Sequence, residues 1–275
     1  MLLDDVRPHD CLAHAQRLLA EVGLIRTELG RAEDDRPPLA VAGARPRACY
    51  VVALATWHKV DRLAAELGLA SERFAHAAPP PPAIVPGHVW QVVDAVLSRV
   101  GAVKQRLQIP ELVAPPTIVP GRAPADVLAT LLQVNRQLGR ALERPFTPGD
   151  VYGVVALASS YAARLGGTAA LAGFARGRRP LDCYRQLATC LAALGAAVAR
   201  HDEPALTFAA APTEVAPGDV YDLAWLVLGE LAYLHAMTPG APPVSPLEPF
   251  ATGFRLPGHV DQLARTLAAQ LATIG

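Results

Sequence analysis

The residues of this chain able to carry chemistry are four cysteines, eight histidines, and 25 acidic and 25 basic side chains. Cys11, Cys49, Cys183 and Cys190 form no CxxC or CxxCH, which excludes the usual zinc-ribbon and haem-attachment spacings. Cys183 and Cys190 are seven residues apart on one expected helix, roughly 10 Å by helix rise and too far for a disulfide. No HExxH or ExxH occurs, so the zincin and di-iron ligand patterns fail. His58 and Asp61 share a helix face with Lys59 and Arg62 beside them, and a solvated charged face is expected there. Nucleophile and phosphate motifs (GxSxG, Walker loop, GxGxxG) are missing, and Ser159 and Ser160 sit inside an apolar stretch where a hydroxyl bonds back to its own helix.

Two candidate binding features remain. Arg176, Arg178 and Arg179 in "GFARGRRP" form the one local basic cluster. It has the chemistry to hold a phosphate or carboxylate, set against the plainer reading of a solvated loop between helices. Tyr50, Trp90, Tyr152, Tyr184 and Tyr221 recur at one position of a repeated string. Each joins an apolar body to a polar tip, suited to the rim of a bundle or the lining of a groove.

The elements that position these residues follow from that string. Six-residue segments beginning at residues 7, 45, 85, 123, 147, 179, 216 and 256 each have Pro second and Val or Cys fifth. Proline suits the first residue of a helix, where no N–H is required. Asp10, Asp126, Asp150, Asp182 and Asp219 stand two residues later, facing the positive end of the helix dipole. His88 and His259 occupy the same slot and are expected to be surface residues, because a cation gains nothing there. Positions 3, 7, 10, 14 and 17 after each proline are apolar in 39 of 40 cases, Thr56 being the exception. Hydrophobic residues make up 52% of the chain, so chance would fill only about half of those positions. The shared register predicts eight helices, each burying a heptad-like face. Three cysteines stand where the other units have Val, and Cys190 falls on a core position; all four read as small buried hydrophobes.

An all-α fold of eight helices from an internal repeat is therefore expected, as two four-helix sets over 1–145 and 146–275 joined by proline-rich extended connections. The division rests on the step from Pro124 to Pro148, which is 24 residues against 32 to 40 elsewhere. A 15-residue polyproline-like connection covers about 46 Å, more than a helix of about 30 Å, so neighbours within a set are free to run parallel or antiparallel. The helix-pair signatures of TPR and HEAT repeats are missing.

Balanced charge excludes a global field that would steer the chain to nucleic acid or to an anionic membrane, and 5% aromatic content argues against a base-stacking platform. No stretch reads as a transmembrane span. "MLLDDVRPHD" lacks signal-peptide blocks, giving a cytoplasmic expectation, or a periplasmic one if Met1 replaces a removed signal. The function expected is a non-enzymatic helical module that binds another protein or its own copy, with no cofactor and no metal. The alternatives are a bundle holding a small apolar molecule in the Ala-rich C-terminal half, and an enzyme whose residues converge only in three dimensions. Residues 1–144 carry 32 charged side chains and residues 145–275 carry 18, so the C-terminal half is expected to supply the main interface, including any homo-oligomer contact.

Overall fold

In the computed structural model, residues 3–74, 81–209, 212–244 and 254–274 are described. The fold is all-α. Among the described residues there are eight α-helices, each beginning at one of the eight prolines. They are α1 (Pro8–Glu28), α2 (Pro46–Glu66), α3 (Pro86–Leu107), α4 (Pro124–Ala141), α5 (Pro148–Arg164), α6 (Pro180–Ala199), α7 (Pro217–Met237) and α8 (Pro257–Leu271). A 3₁₀ turn at Leu3–Asp5 precedes α1, and the extended segments Val41–Ala42 and Thr207–Phe208 are two residues each. The chain divides into two compact units, Met1–Pro145 and Phe146–Gly275.

The helix starts show why the string works. The residue before each proline is extended, as at Arg7 with φ −111° and ψ 163°, because proline disfavours helical backbone in the preceding residue. The Asp two residues after the proline accepts the backbone N–H of that extended residue: Asp10 from Arg7 (2.8 Å), Asp126 from Ala123 (2.9 Å), Asp150 from Thr147 (2.6 Å), Asp182 from Arg179 (2.8 Å) and Asp219 from Ala216 (2.7 Å). In "TPGD" the Thr147 hydroxyl also accepts from the Asp150 N–H at 3.3 Å, completing a capping box. His88 and His259 make the same bond through Nδ1, accepting from Val85 N–H at 3.1 Å and Leu256 N–H at 3.0 Å. This corrects the expectation that they are plain surface residues: an unprotonated ring nitrogen is an acceptor and replaces the carboxylate. In α2 the slot holds Ala48, which is buried and offers a carboxylate no water.

Within the first unit α1 packs against α3 and α4, and α2 against the same two. Thus α1 lies diagonally across from α2 and α3 from α4, while the chain neighbours α2 and α3 are in contact. All four helices run parallel. Their first turns meet around one axis, with Pro8, Pro46, Pro86 and Pro124 at its mouth. Farther down, Arg99 of α3 reaches Asp61 of α2, and Lys104 of α3 reaches Glu21 of α1. The second unit repeats this plan: α5 and α6 each pack against α7 and α8. Cys183 and Cys190 of α6 bond to Pro257 and Ala264 of α8 in matching order, and Tyr161 of α5 meets His235 near the end of α7.

Parallel order explains the connections. A chain leaving the C-terminal end of one helix must return along the bundle's whole length before starting the next. Helices of up to 22 residues need about 33 Å of return at 1.5 Å per residue. The within-unit connections have 15 to 19 residues, and at about 3.1 Å per residue in polyproline II even the shortest covers this.

The heptad face forms the core of each unit. All its positions are buried except Leu165, Ala197 and Ile274. Leu165 and Ile274 fall past the ends of α5 and α8, and Ala197 lies in the last turn of α6. Thr56 is fully buried and donates its hydroxyl to Val52 O of its own helix at 2.8 Å, which satisfies it without a partner helix.

Candidate functional site

The N-terminal end of the first unit is built from the repeated string itself. The four prolines form a ring, and beneath it Cys11, Cys49, Val89 and Val127 line an axial opening of about 10 Å³, the room of about one water molecule. Cys11 donates its thiol to Pro86 O and Cys49 donates to Pro124 O, both at 3.2 Å. Cys183 makes the equivalent bond to Pro257 O at 3.3 Å, and Cys190 donates to Ala264 O at 3.5 Å. All four thiols are free and buried. Burial pushes the Cys11, Cys183 and Cys190 thiols up to about 12 and raises Cys49 as well. These groups are held as neutral donors, the opposite of the lowered pKa a nucleophilic cysteine needs. No group of three or more His, Cys, Asp or Glu able to hold a metal occurs among the described residues.

The aromatic residues of the string are dispersed, not gathered into one groove. Tyr50 and Tyr184 are buried. Trp90 of α3 stacks on His14 of α1 with centroids 4.7 Å apart. Burial lowers the pKa of His14 against the raising effect of Asp94, which lies 3.7 Å from the ring. Tyr152 of α5 lies under the Arg255 guanidinium at 4.6 Å. Tyr221 of α7 packs on Phe146 at 4.5 Å and on Trp225 at 6.2 Å. Trp90, Tyr152 and Tyr221 therefore each join the start of a helix to a neighbouring element.

The arginine cluster is divided. Arg178 reaches Asp261 of α8 at 3.2 Å, so an internal carboxylate already takes it. Arg179 is the residue before the α6 proline and gives its backbone N–H to Asp182, with its side chain outward; Arg176 is exposed.

Lys59 overturns the expected solvated face of α2. It is 0% exposed, with Nζ 3.5 Å from Asn135 O of α4. Asp61 is likewise engaged, accepting from Arg99 at 2.7 Å, from the Glu72 N–H at 3.0 Å and from Ser71. Burial pushes its pKa up, but these bonds outweigh burial and hold its carboxyl below the ordinary range. His58 on this face stays exposed, while Asp61 is covered because Ser71 and Glu72, just after α2, fold back onto it. The serines also divide: Ser160 bonds back to Ala156 O at 3.0 Å, whereas Ser159 crosses to Gln270 of α8 at 2.7 Å.

A further polar set escaped the sequence reading. Position 13 after the proline carries Glu21, Lys59, Arg99 and Gln137 in the first unit, all buried. Glu21 pairs with Lys104 at 2.5 Å. Gln137 exchanges two bonds with the Asp34 backbone at 3.0 and 3.3 Å. Asp34 in turn pairs with Arg36 at 2.8 Å and Arg140 at 3.2 Å. Burial pushes its carboxyl up, but Arg36 and Arg140 together hold it below the usual range. The signal was the shared offset, visible only once position 13 is counted beside the core positions. The other features missed were exposed apolar side chains on the connections, above all Leu112 at 93% and Phe254 at 86% exposure, with Leu171, Ile118 and Val119 less so.

No family model, curated protein or solved structure matches this chain.

Proposed function

We propose that the chain is a non-enzymatic helical module that binds another protein or a second copy of itself. The observation that carries this reading is the 108–123 connection of the first unit. Its first turn is fixed, because Ile109 N–H donates to Lys104 O at 3.0 Å and the Lys104 ammonium holds Glu111 O. Leu112 follows directly and stands almost wholly in water, with Ile118 and Val119 half exposed. Pro110, Pro115, Pro116 and Pro120 stiffen the strand that presents them, so less ordering entropy is lost when a partner groove takes it up. Exposed apolar side chains on a stiff extended segment fit recognition by another protein's groove.

The finer reading assigns the main association surface to the C-terminal half. It is supported by the lower charge of that half, 18 charged side chains in residues 145–275 against 32 in residues 1–144. The alternative of a bundle that takes up a small apolar molecule gains nothing from the axial opening of about 10 Å³, against roughly 300 Å³ or more for a ligand pocket.

Light scattering on the full chain and on Leu112→Asp/Ile118→Asp tests the connection. The expected result is concentration-dependent association of the natural chain that the double variant loses. Equal masses for the two, together with equal capture of any partner, would remove the connection from the reading. Fragments test the finer assignment: residues 146–275 should dimerise or aggregate while 1–145 stays the more soluble, and the reverse outcome transfers the surface to the first unit.

A further inference from the structure

The repeated string places a cysteine at its fifth position in both α1 and α2, the two helices that face each other diagonally across the axis of the first unit. Cys11 and Cys49 line one opening, with Val89 and Val127 on its other sides and the proline ring above. The two thiols stand at one level, because Cys11 bonds to the first residue of α3 and Cys49 to the first residue of α4. A charge on Cys11 acts on Cys49, and neither is tied up in a disulfide. The opening of about 10 Å³ has room for about one water molecule or one ion. The second unit supplies a contrast. The same level there carries Val151, Cys183, Val220 and Val260, so one thiol stands where the first unit has two.

Two sulfurs on opposite sides of an apolar shaft can hold one ion between them. Thiolates select soft ions, namely Cu(I), zinc and iron–sulfur clusters. Zinc and the clusters take four protein ligands, and here the other two positions are valines. Cu(I) is content with two sulfurs in a line. The proline carbonyls lose nothing essential when the thiols turn away, because Pro86 and Pro124 open α3 and α4 and a helix uses its first carbonyl itself. Asp10 and Asp126 share this end of the bundle, but both are engaged at the rim as acceptors for the Arg7 and Ala123 N–H groups. Four parallel helix starts converge on the axis, and their dipoles favour negative charge there.

We propose that Cys11 and Cys49 form a two-coordinate binding site for Cu(I). Binding is an exchange without electron transfer. Two S–H bonds break, two S–Cu bonds form, both protons leave to water through the proline mouth, and the copper stays Cu(I). The product carries a single net negative charge, the sign that the four helix starts favour. Burial keeps both thiols protonated in the absence of such an ion, so an ion with less affinity for sulfur does not displace the protons.

Loading of the full chain with acetonitrile-stabilised Cu(I) under argon, followed by desalting and elemental analysis, tests this. The natural chain should retain one copper and release two protons for it, and X-ray absorption should show two sulfur neighbours. Zn(II) in place of Cu(I) should not be retained. Cys183→Val/Cys190→Val should retain the same one copper. Cys11→Val and Cys49→Val are volume-conserving changes and should each abolish retention with the helical circular dichroism unchanged. Cys11→Ser and Cys49→Ser keep a donor to the proline carbonyls and should abolish it as well. A natural chain that retains no copper, retention by any of these four single variants, loss of copper from the Cys183/Cys190 variant, or nitrogen or oxygen neighbours at the metal would each overturn the proposal.

Discussion

In the first bundle position 13 after each proline carries Glu21, Lys59, Arg99 and Gln137, all buried; in the second it carries Tyr161, Ala193, Glu230 and Gln270, of which only the last two are buried. The first bundle also fills its heptad face through position 17 in all four helices, whereas the second has only Leu234 buried at that level. One packing plan is therefore closed in two ways. The first unit ties long helices to one another and to their returning connections with buried polar bonds. The second uses shorter helices, α5 with 17 residues and α8 with 15, and fewer charges. The comparison teaches that the proline start and the apolar register suffice for the layout, while the positions beside the register decide how each bundle is sealed.

The difference is broken most severely at the buried ion pair. Glu21→Ala strands Lys104, whose side chain is 8% exposed, and should cost about 3–5 kcal/mol. Denaturant unfolding followed by circular dichroism reads it. Ala193→Ser, at the exposed counterpart in α6, should stay within about 0.5 kcal/mol. Equal losses at the two positions would show that the polar belt does not distinguish the bundles.

Acid sharpens the same contrast. Asp34 and Asp61, both in the first unit, have folded-state pKa values below their unfolded ones. The stability they contribute is present above the unfolded carboxylate value of about 4 and is lost as pH falls through the lower folded values. Unfolding midpoints of the natural chain should drop through that window, and Asp34→Asn/Asp61→Asn should lower stability near neutrality and flatten the drop. A double variant with an unchanged acid profile would refute the assignment.

The sequence was most readable where one rule acts alone. Proline at the first helical residue and the heptad offsets located Pro8 and its seven equivalents, and placed Cys11, Val22 or Leu231 in the core. Helix direction was not readable, because connections of 15 to 19 residues are long enough for either order. Lys59 was misplaced because a lysine beside His58, Asp61 and Arg62 resembles a water-facing stripe, whereas its ammonium turns to the Asn135 carbonyl of α4. The candidate site was half legible. The recurring aromatic position was visible, but each member sits at the start of a different helix. The exposed Leu112 and Phe254 could not be told from apolar residues that fold inward.

Two smaller effects probe the helix starts shared by both bundles. Cys11→Val and Cys183→Val remove equivalent thiol bonds, one in each unit, and should each cost no more than about 1.5 kcal/mol, as volume-conserving core changes do; a larger loss in only one unit would mark that thiol as more than a space-filler. His88→Ala and His259→Ala remove the acceptor that caps α3 and α8 and should cost a few tenths to about 1 kcal/mol, with Asp at either position restoring the loss. Thermal unfolding checks both pairs.

Parallel packing of helices within a unit underlies the connections and the ring of prolines. The most direct test is a distance between the far ends of α1 and α3. Spin labels at Glu28 and Gln105, both exposed and both in the last turn of their helices, are placed in a chain whose four native cysteines are replaced by Val. Double electron–electron resonance should give a separation within about 25 Å, as for adjacent helices with axes about 8–10 Å apart plus the reach of the labels. A distance beyond about 35 Å, the length of a helix of this size with the labels at opposite ends, would contradict the parallel bundle.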